Sequence, residues 1–120
     1  MNTLSRYFSG SGRVSKGVWL SRLVAATACA TALGMLAQSL AGPVACALVT
    51  AVFLVSASAI SVQRLHDLGM PGRWLGLVVV PIIGPLWLLI KLLSRGTAGD
   101  NCYGTDPRSR HNYLQVNISK

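Results

Sequence analysis

The chain has 120 residues, of which 52% are hydrophobic and 12% charged; eleven Lys and Arg stand against three Asp and no Glu, for a formal net charge of +8. A soluble domain usually carries about twice that charged fraction. The aliphatic content excludes a disordered basic tail, and the length allows one domain at most.

Residues 1–22 form a basic, aromatic lead-in, with Tyr7, Phe8 and Trp19 among Arg6, Arg13, Lys16 and Arg22. Ser9 to Gly12 reads as irregular chain, and Ser15 as the N-cap of a first long helix. Trp19 and Arg22 are expected at headgroup level as interfacial anchors. Such a segment can in principle bind nucleic acid. Beside an apolar run the expected partner is instead anionic lipid, at about 1 kcal/mol per basic residue.

Three apolar runs follow: 23–40, 44–62 and 74–93, with Lys91 the single charge within them. A helix needs about 20 apolar residues to cross the hydrocarbon layer. None of the runs alternates as a strand would, and a backbone in lipid must satisfy its own hydrogen bonds, so the expectation is all-α and multi-pass. The first run is longer than the apolar core of a cleaved leader and is read as a retained helix. Only Ala41, Gly42 and Pro43 separate the first two runs, which imposes an antiparallel hairpin. Ala26, Ala30 and Gly34 on one helix, and Ala47 and Ala51 on the other, are read as packing faces of that hairpin rather than a dimer surface. Cys29 and Cys46 are read as small packing residues, and with Cys102 they form no metal-binding or disulfide spacing.

Residues 63–73 are read as a polar loop and 94–120 as a polar tail. Within the loop, helical spacing sets Arg64 and Asp67 on one face as an i,i+3 ion pair. Gly69 is expected to end that turn, with Pro71-Gly72 as loop. The tail stretch from Gly96 to Pro107 is dense in turn residues.

At this point the chain resembles a known family. Gly12-Arg13-Val14-Ser15-Lys16 with Trp19, Arg64-Leu65-His66-Asp67-Leu68-Gly69, Gly72-Arg73-Trp74, Pro81-Ile82-Ile83-Gly84, Gly99-Asp100-Asn101, Tyr103-Gly104 and Asp106-Pro107 stand in the order and spacing of the domain-of-unknown-function 805 family, over residues 6–108. Gln63 and Cys102 stand where that family often carries arginine. The resemblance implies a small bacterial inner-membrane protein and brings no activity with it.

Could the polar residues do chemistry? His66-Asp67 resembles the His-Asp pair of metal phosphohydrolases, but few further ligands are at hand, and His111 lies in the tail. No nucleophile elbow, phosphate loop or calcium loop is present. The expectation is no enzyme, no cofactor and no metal. Arg13, Arg64, His66, Asp67 and Asp100 are instead expected to form a juxtamembrane polar network that clamps the loops together. A transporter-like or channel-like protein is the alternative, and a membrane-embedded hydrolase the third reading. Intramembrane ionisable groups usually mark a pathway, and here Lys91 lies close enough to an end to snorkel. A homo-oligomer or a membrane-protein partner stays open.

The third run decides topology. If it crosses fully, six Lys and Arg face one side and five the other, which gives no bias, and Trp74 and Trp87 anchor opposite membrane faces. If it dips in and returns, all eleven lie on one side. Pro81, Gly84 and Pro85 supply the place to kink or break it. The charge count favours a cytoplasmic N-terminus and tips the C-terminus the same way.

Overall fold

The computed structural model of the protein describes residues 5–108, and these are all-helical apart from one isolated bridge between Asn101 and Gly104. The order is α1 (Ser5–Phe8), α2 (Lys16–Ala41), α3 (Pro43–Asp67), a 3-10 helix (Gly72–Val79) and α4 (Ile83–Leu93).

Helices α2 and α3 form the antiparallel hairpin. Their 26 and 25 residues rise about 39 and 38 Å, more than the ~30 Å of hydrocarbon. The link between them is the single residue Gly42. Gly42 sits at φ +80°, where a side chain is strained, and its amide donates to Gln38 O at 3.1 Å. Pro43 follows at the first helical positions, where its missing N–H has no intrahelical role to lose. Gly34 is buried, 3.8 Å by its would-be Cβ from Cys46 Sγ, so small residues do set the hairpin contact here.

Most of the apolar surface of the two helices is not covered by the protein. Val24, Met35, Leu40, Val44 and Leu48 are all more than half exposed. Both helices are long and apolar enough to cross a membrane, and in the most apolar stretch of α2 no residue is buried. Such faces have lipid as their natural solvent.

Helix α3 runs on through Gln63–Asp67, so the polar stretch read as a loop from 63 is helical as far as Asp67. The cause is local. Arg64 and Asp67 neutralise each other one turn apart, which lets charged residues continue an apolar helix. The helix then ends as Gly69 requires. Gly69 lies at φ +74°, its amide donates to His66 O at 3.0 Å, and the Met70 amide reaches back to Leu65 O at 2.9 Å. This pair of bonds is the Schellman ending.

The third apolar run is not one helix. It is a 3-10 helix of eight residues and α4 of eleven, each about 16 Å long. Between them Ile82 takes φ +68°, ψ −61°, and the Ile83 amide donates to Pro81 O at 2.8 Å. That is a γ-turn of the rare positive-φ kind, strained for a β-branched residue. Gly84 then passes so close to Leu77 that a Cβ would collide with the Leu77 carbonyl. The two arms fold back on each other. Gly72 starts the first arm against Val62 of α3, and Arg64 of α3 binds Leu92 O at the end of the second. Both ends of the broken run therefore sit at the same end of the α2–α3 hairpin.

The small core lies at that end too. Val14, Trp19, Ile60, Leu65, Leu88 and Leu92 are buried together. Trp19 is 3% exposed, so its ring is a core residue and not the headgroup anchor its neighbours suggested. Its position in the first turn of α2 turns it onto the last turns of α3, where burying a large aromatic contributes most. Its Nε1 is buried with no hydrogen-bond partner among the described residues. Trp74 and Trp87 also depart from the expectation of opposite anchors. Their rings are 5.3 Å apart, tilted by 31°, because the arms that carry them are side by side.

Candidate functional site

The polar residues that read as a motif converge where α2 begins, α3 ends and α4 ends. Asp67, 1% exposed, is the centre. Its Oδ1 accepts from Arg13 Nε at 3.2 Å and Arg13 Nη2 at 3.0 Å, and its Oδ2 accepts from Arg64 Nη1. The Arg13 side chain is 1% exposed, as is that of Arg64. A bidentate guanidinium on one oxygen, a second guanidinium on the other and near-complete burial keep the carboxylate from solvent. Gly96 closes the remaining side, since a Cβ there would collide with the carboxylate.

Two buried cations and one carboxylate leave an excess positive charge, and backbone carbonyls absorb it. Arg64 donates through Nε to Leu92 O at 3.0 Å, through Nη1 to Val14 O at 3.4 Å and through Nη2 to Ser94 O. Leu92 O belongs to the last turn of α4, where carbonyls lack helical partners and the helix dipole is negative. Arg64 is thus both the counter-ion of Asp67 and the C-terminal cap of α4. Arg13 donates through Nη2 to Thr97 O at 2.8 Å and through Nη1 to Gly99 O and to Gly104 O, the last at 3.3 Å.

The tail folds over the same point. Thr97 N and Thr97 Oγ1 donate to Asp67 O at 2.8 and 2.9 Å. Asn101 Nδ2 donates to His66 O at 2.9 Å and Thr97 Oγ1 at 3.0 Å, while its Oδ1 accepts from Tyr103 N at 2.9 Å. The Tyr103 ring stacks on His66, 4.1 Å between centroids and 2° from parallel. His66 Nδ1 lies 3.2 Å from Gly12 O. A carbonyl can only accept, so that nitrogen carries the proton.

The expected five therefore divide. Arg13, Arg64 and Asp67 form one buried ion cluster. His66 stands beside it, bound to a carbonyl and stacked on a ring, with no carboxylate partner among the described residues. Asp100 is not part of the cluster: its Oδ1 accepts from Asp106 N at 3.0 Å within the tail. The reason is that the tail reaches the cluster through its backbone and Thr97, which leaves Asp100 exposed on the outer side. Asp106 accepts from the amides of Arg108 and Gly99, at 2.9 and 3.0 Å. The Arg108 amide above all holds its carboxyl below the usual range. His111 lies outside the described residues.

Sequence reasoning missed Thr97, Asn101 and Gln63. Gln63 Oε1 accepts from Arg22 Nη1 at 3.1 Å, and its Nε2 donates to Ser9 O. A signal existed for Asn101, whose place two residues before Tyr103 permits the side-chain turn seen here. Among the described residues no three His, Cys, Asp or Glu side chains gather into a metal-ligand set. The arrangement is suited to holding segments together.

Asn101→Ala removes two donors and one acceptor at the edge of the cap, each worth about 0.5 to 1.5 kcal/mol net. The expected result is faster amide exchange over 97–104 with the α2–α3 hairpin unchanged. Exchange measured by mass spectrometry checks this, and unchanged protection of the tail would contradict it.

Two apolar helices, a broken apolar hairpin and a charged cap at one end define a small helical membrane protein. The chain belongs to the family described as protein of unknown function DUF805, whose model matches residues 7–105. It is 46% identical over 50 residues to the inner membrane protein YhaI of Escherichia coli (strain K12), which covers 42% of each chain. It is 36% identical over 50 residues to the inner membrane protein YhaH of the same strain, covering 42% of this chain and 41% of that one. The matched part thus spans about two fifths of the length of these relatives. No solved structure matches.

Proposed function

We propose that the protein is an accessory component of the bacterial inner membrane whose role is architectural: two crossing helices and a re-entrant third segment that hold a basic cap at the cytoplasmic surface. The observation that carries this reading is Arg64. From the last turn of α3 it binds Asp67, Leu92 O and Ser94 O, which keeps the far end of the third run beside the cap, as Gly72 against Val62 keeps the near end. Arms of about 16 Å each reach half-way into the ~30 Å hydrocarbon and back. The turn at Ile82 is exposed, but its amides keep internal partners, Ile83 N donating to Pro81 O at 2.8 Å and Gly84 N to Val80 O at 3.1 Å, as backbone in hydrocarbon must.

In this arrangement all eleven Lys and Arg fall on one side, and the Gly42 link on the other carries none. That asymmetry is what orients membrane helices with basic residues inside. The enclosed carboxylate of Asp67 supports a structural role, because a catalytic acid or base needs to reach its substrate directly or through one water.

Topology reporters test the proposal. A fluorescent protein that matures in the cytoplasm, fused after Lys120, is expected to glow, and alkaline phosphatase inserted at Gly42 to be active. Active phosphatase after Lys120 would mean that the third run crosses and would overturn the re-entrant arrangement.

A further inference from the structure

Helix α1 packs against α3, held by Ser56 Oγ donating to Tyr7 O at 3.2 Å. Beneath it lies an open groove of about 520 Å³ between α2 and α3. Tyr7 and Phe8 line its upper end, Ala26 and Ala30 one wall, Val49 and Val52 the other. On each helix the lining covers eight residues of rise, 25–33 and 48–56, about 12 Å of depth. Small side chains of α2 line this groove, and further along the hairpin closes where Gly34 is buried beside Cys46. Its size is that of a ligand site, yet its wall is almost wholly apolar.

One cation stands at its mouth. Arg22 is one turn above Ala25 and Ala26, on the same face of α2. Its guanidinium lies 5.8 Å from the centroid of the Tyr7 ring and donates to Gln63 Oε1 at 3.1 Å. That bond uses one of the five N–H donors of a guanidinium. No acidic residue lines the groove.

We propose that this groove holds an acyl chain of an anionic phospholipid, with its phosphate at Arg22. The proposal rests on the membrane placement given above, which sets Arg22 at headgroup level and the groove in the hydrocarbon. Charge complementarity selects the ligand: an apolar slot with a guanidinium at its surface end matches a molecule with one flexible hydrocarbon chain below a negative head. A flexible chain can follow a slot that Tyr7 and Phe8 line from one side at its upper end. A helix of a second copy, about 10 to 12 Å across with side chains, would meet Tyr7 and Phe8, which line the upper end of the groove. A planar guanidinium also suits phosphate oxygens better than a point charge would.

The test uses the full chain in vesicles of phosphatidylethanolamine and phosphatidylglycerol, with either lipid carrying a diazirine in mid-chain. After photolysis, labelled peptides are mapped by mass spectrometry. The wild-type protein is expected to take label mostly within 25–33 and 48–56, and more from phosphatidylglycerol. Label spread evenly onto outward residues such as Leu40 and Val44 would overturn the site. Arg22→Gln is expected to lower the preference for phosphatidylglycerol about fivefold while chain labelling persists. An unchanged preference would overturn the role of Arg22. A dimer that Ala30→Phe dissociates, with no label in the groove, would overturn the lipid in favour of a second copy. The reporter fusions read sidedness separately, so an inverted C-terminus would overturn the re-entrant topology without erasing groove labelling.

Discussion

Asp67→Asn is expected to destabilise the detergent-solubilised protein by about 3 to 5 kcal/mol, because it removes the shared partner of two buried cations. The asymmetry within the cluster sharpens the expectation. Without Asp67, both Arg13 and Arg64 keep their carbonyl contacts but lose their counter-charge. Without Arg13, Asp67 still has Arg64, and without Arg64 it still has Arg13. The order of damage is therefore Asp67→Asn, then Arg64→Met, then Arg13→Met. Arg64 precedes Arg13 because it also caps α4 through Leu92 O and Ser94 O. Arg108→Gln is the control. Its pair with Asp106 has a 40% exposed arginine, and exposed pairs are worth about 0 to 1 kcal/mol. Thermal unfolding followed by circular dichroism measures all four. A wild-type melting curve for Asp67→Asn would mean that the carboxylate is not held by the two arginines, and the architectural reading would fail with it.

What made parts of this fold legible in the sequence was periodicity and local stereochemistry. Two unbroken apolar runs joined through Gly42-Pro43 allow little besides a helical hairpin. Arg64 and Asp67 are three residues apart, so their pairing needs only that the helix continue. Gly69 announces its own positive φ. Contacts to backbone are different. Arg13 and Arg64 find carbonyls at Leu92, Ser94, Thr97 and Gly99, and a carbonyl has no residue type. Asp100 looked like a partner because it is an acid near arginines, but the tail turns it outward. Trp19 looked like an anchor because it stands near Arg22. Which face of a helix meets the core is a tertiary fact, and α2 presents that one to Ile60 and Leu65. The third run was the hardest to read. Its length fits a crossing, and its Pro and Gly content fits a break. The return of both its ends to α3 depends on contacts with Val62 and Arg64, which no local pattern encodes.

That return gives the second large effect, because two glycines of the same hairpin face opposite surroundings. At Gly84 a Cβ would meet the carbonyl of Leu77, which is backbone and cannot swing aside. At Gly76 nothing lies within 4 Å of a Cβ. Gly84→Ala is expected to wedge the 3-10 helix from α4, at a cost of about 1 to 3 kcal/mol or more. Gly76→Ala relieves the unfolded chain of some freedom and adds no clash, so it is expected to be neutral or to stabilise by about 0.4 to 1 kcal/mol. The contrast removes helix propensity as an explanation, since alanine exceeds glycine in both places. The wedge has a visible consequence. Trp74 and Trp87, now 5.3 Å apart on the two arms, separate when the arms part, and the half-buried environment of Trp87 changes with them. Tryptophan emission of Gly84→Ala, in a background where Trp19 is replaced by Phe, should shift from that of Gly76→Ala in the same background. Identical spectra and melting curves for the two variants would show that the arms do not pack as a hairpin, and the third run would then be free to cross.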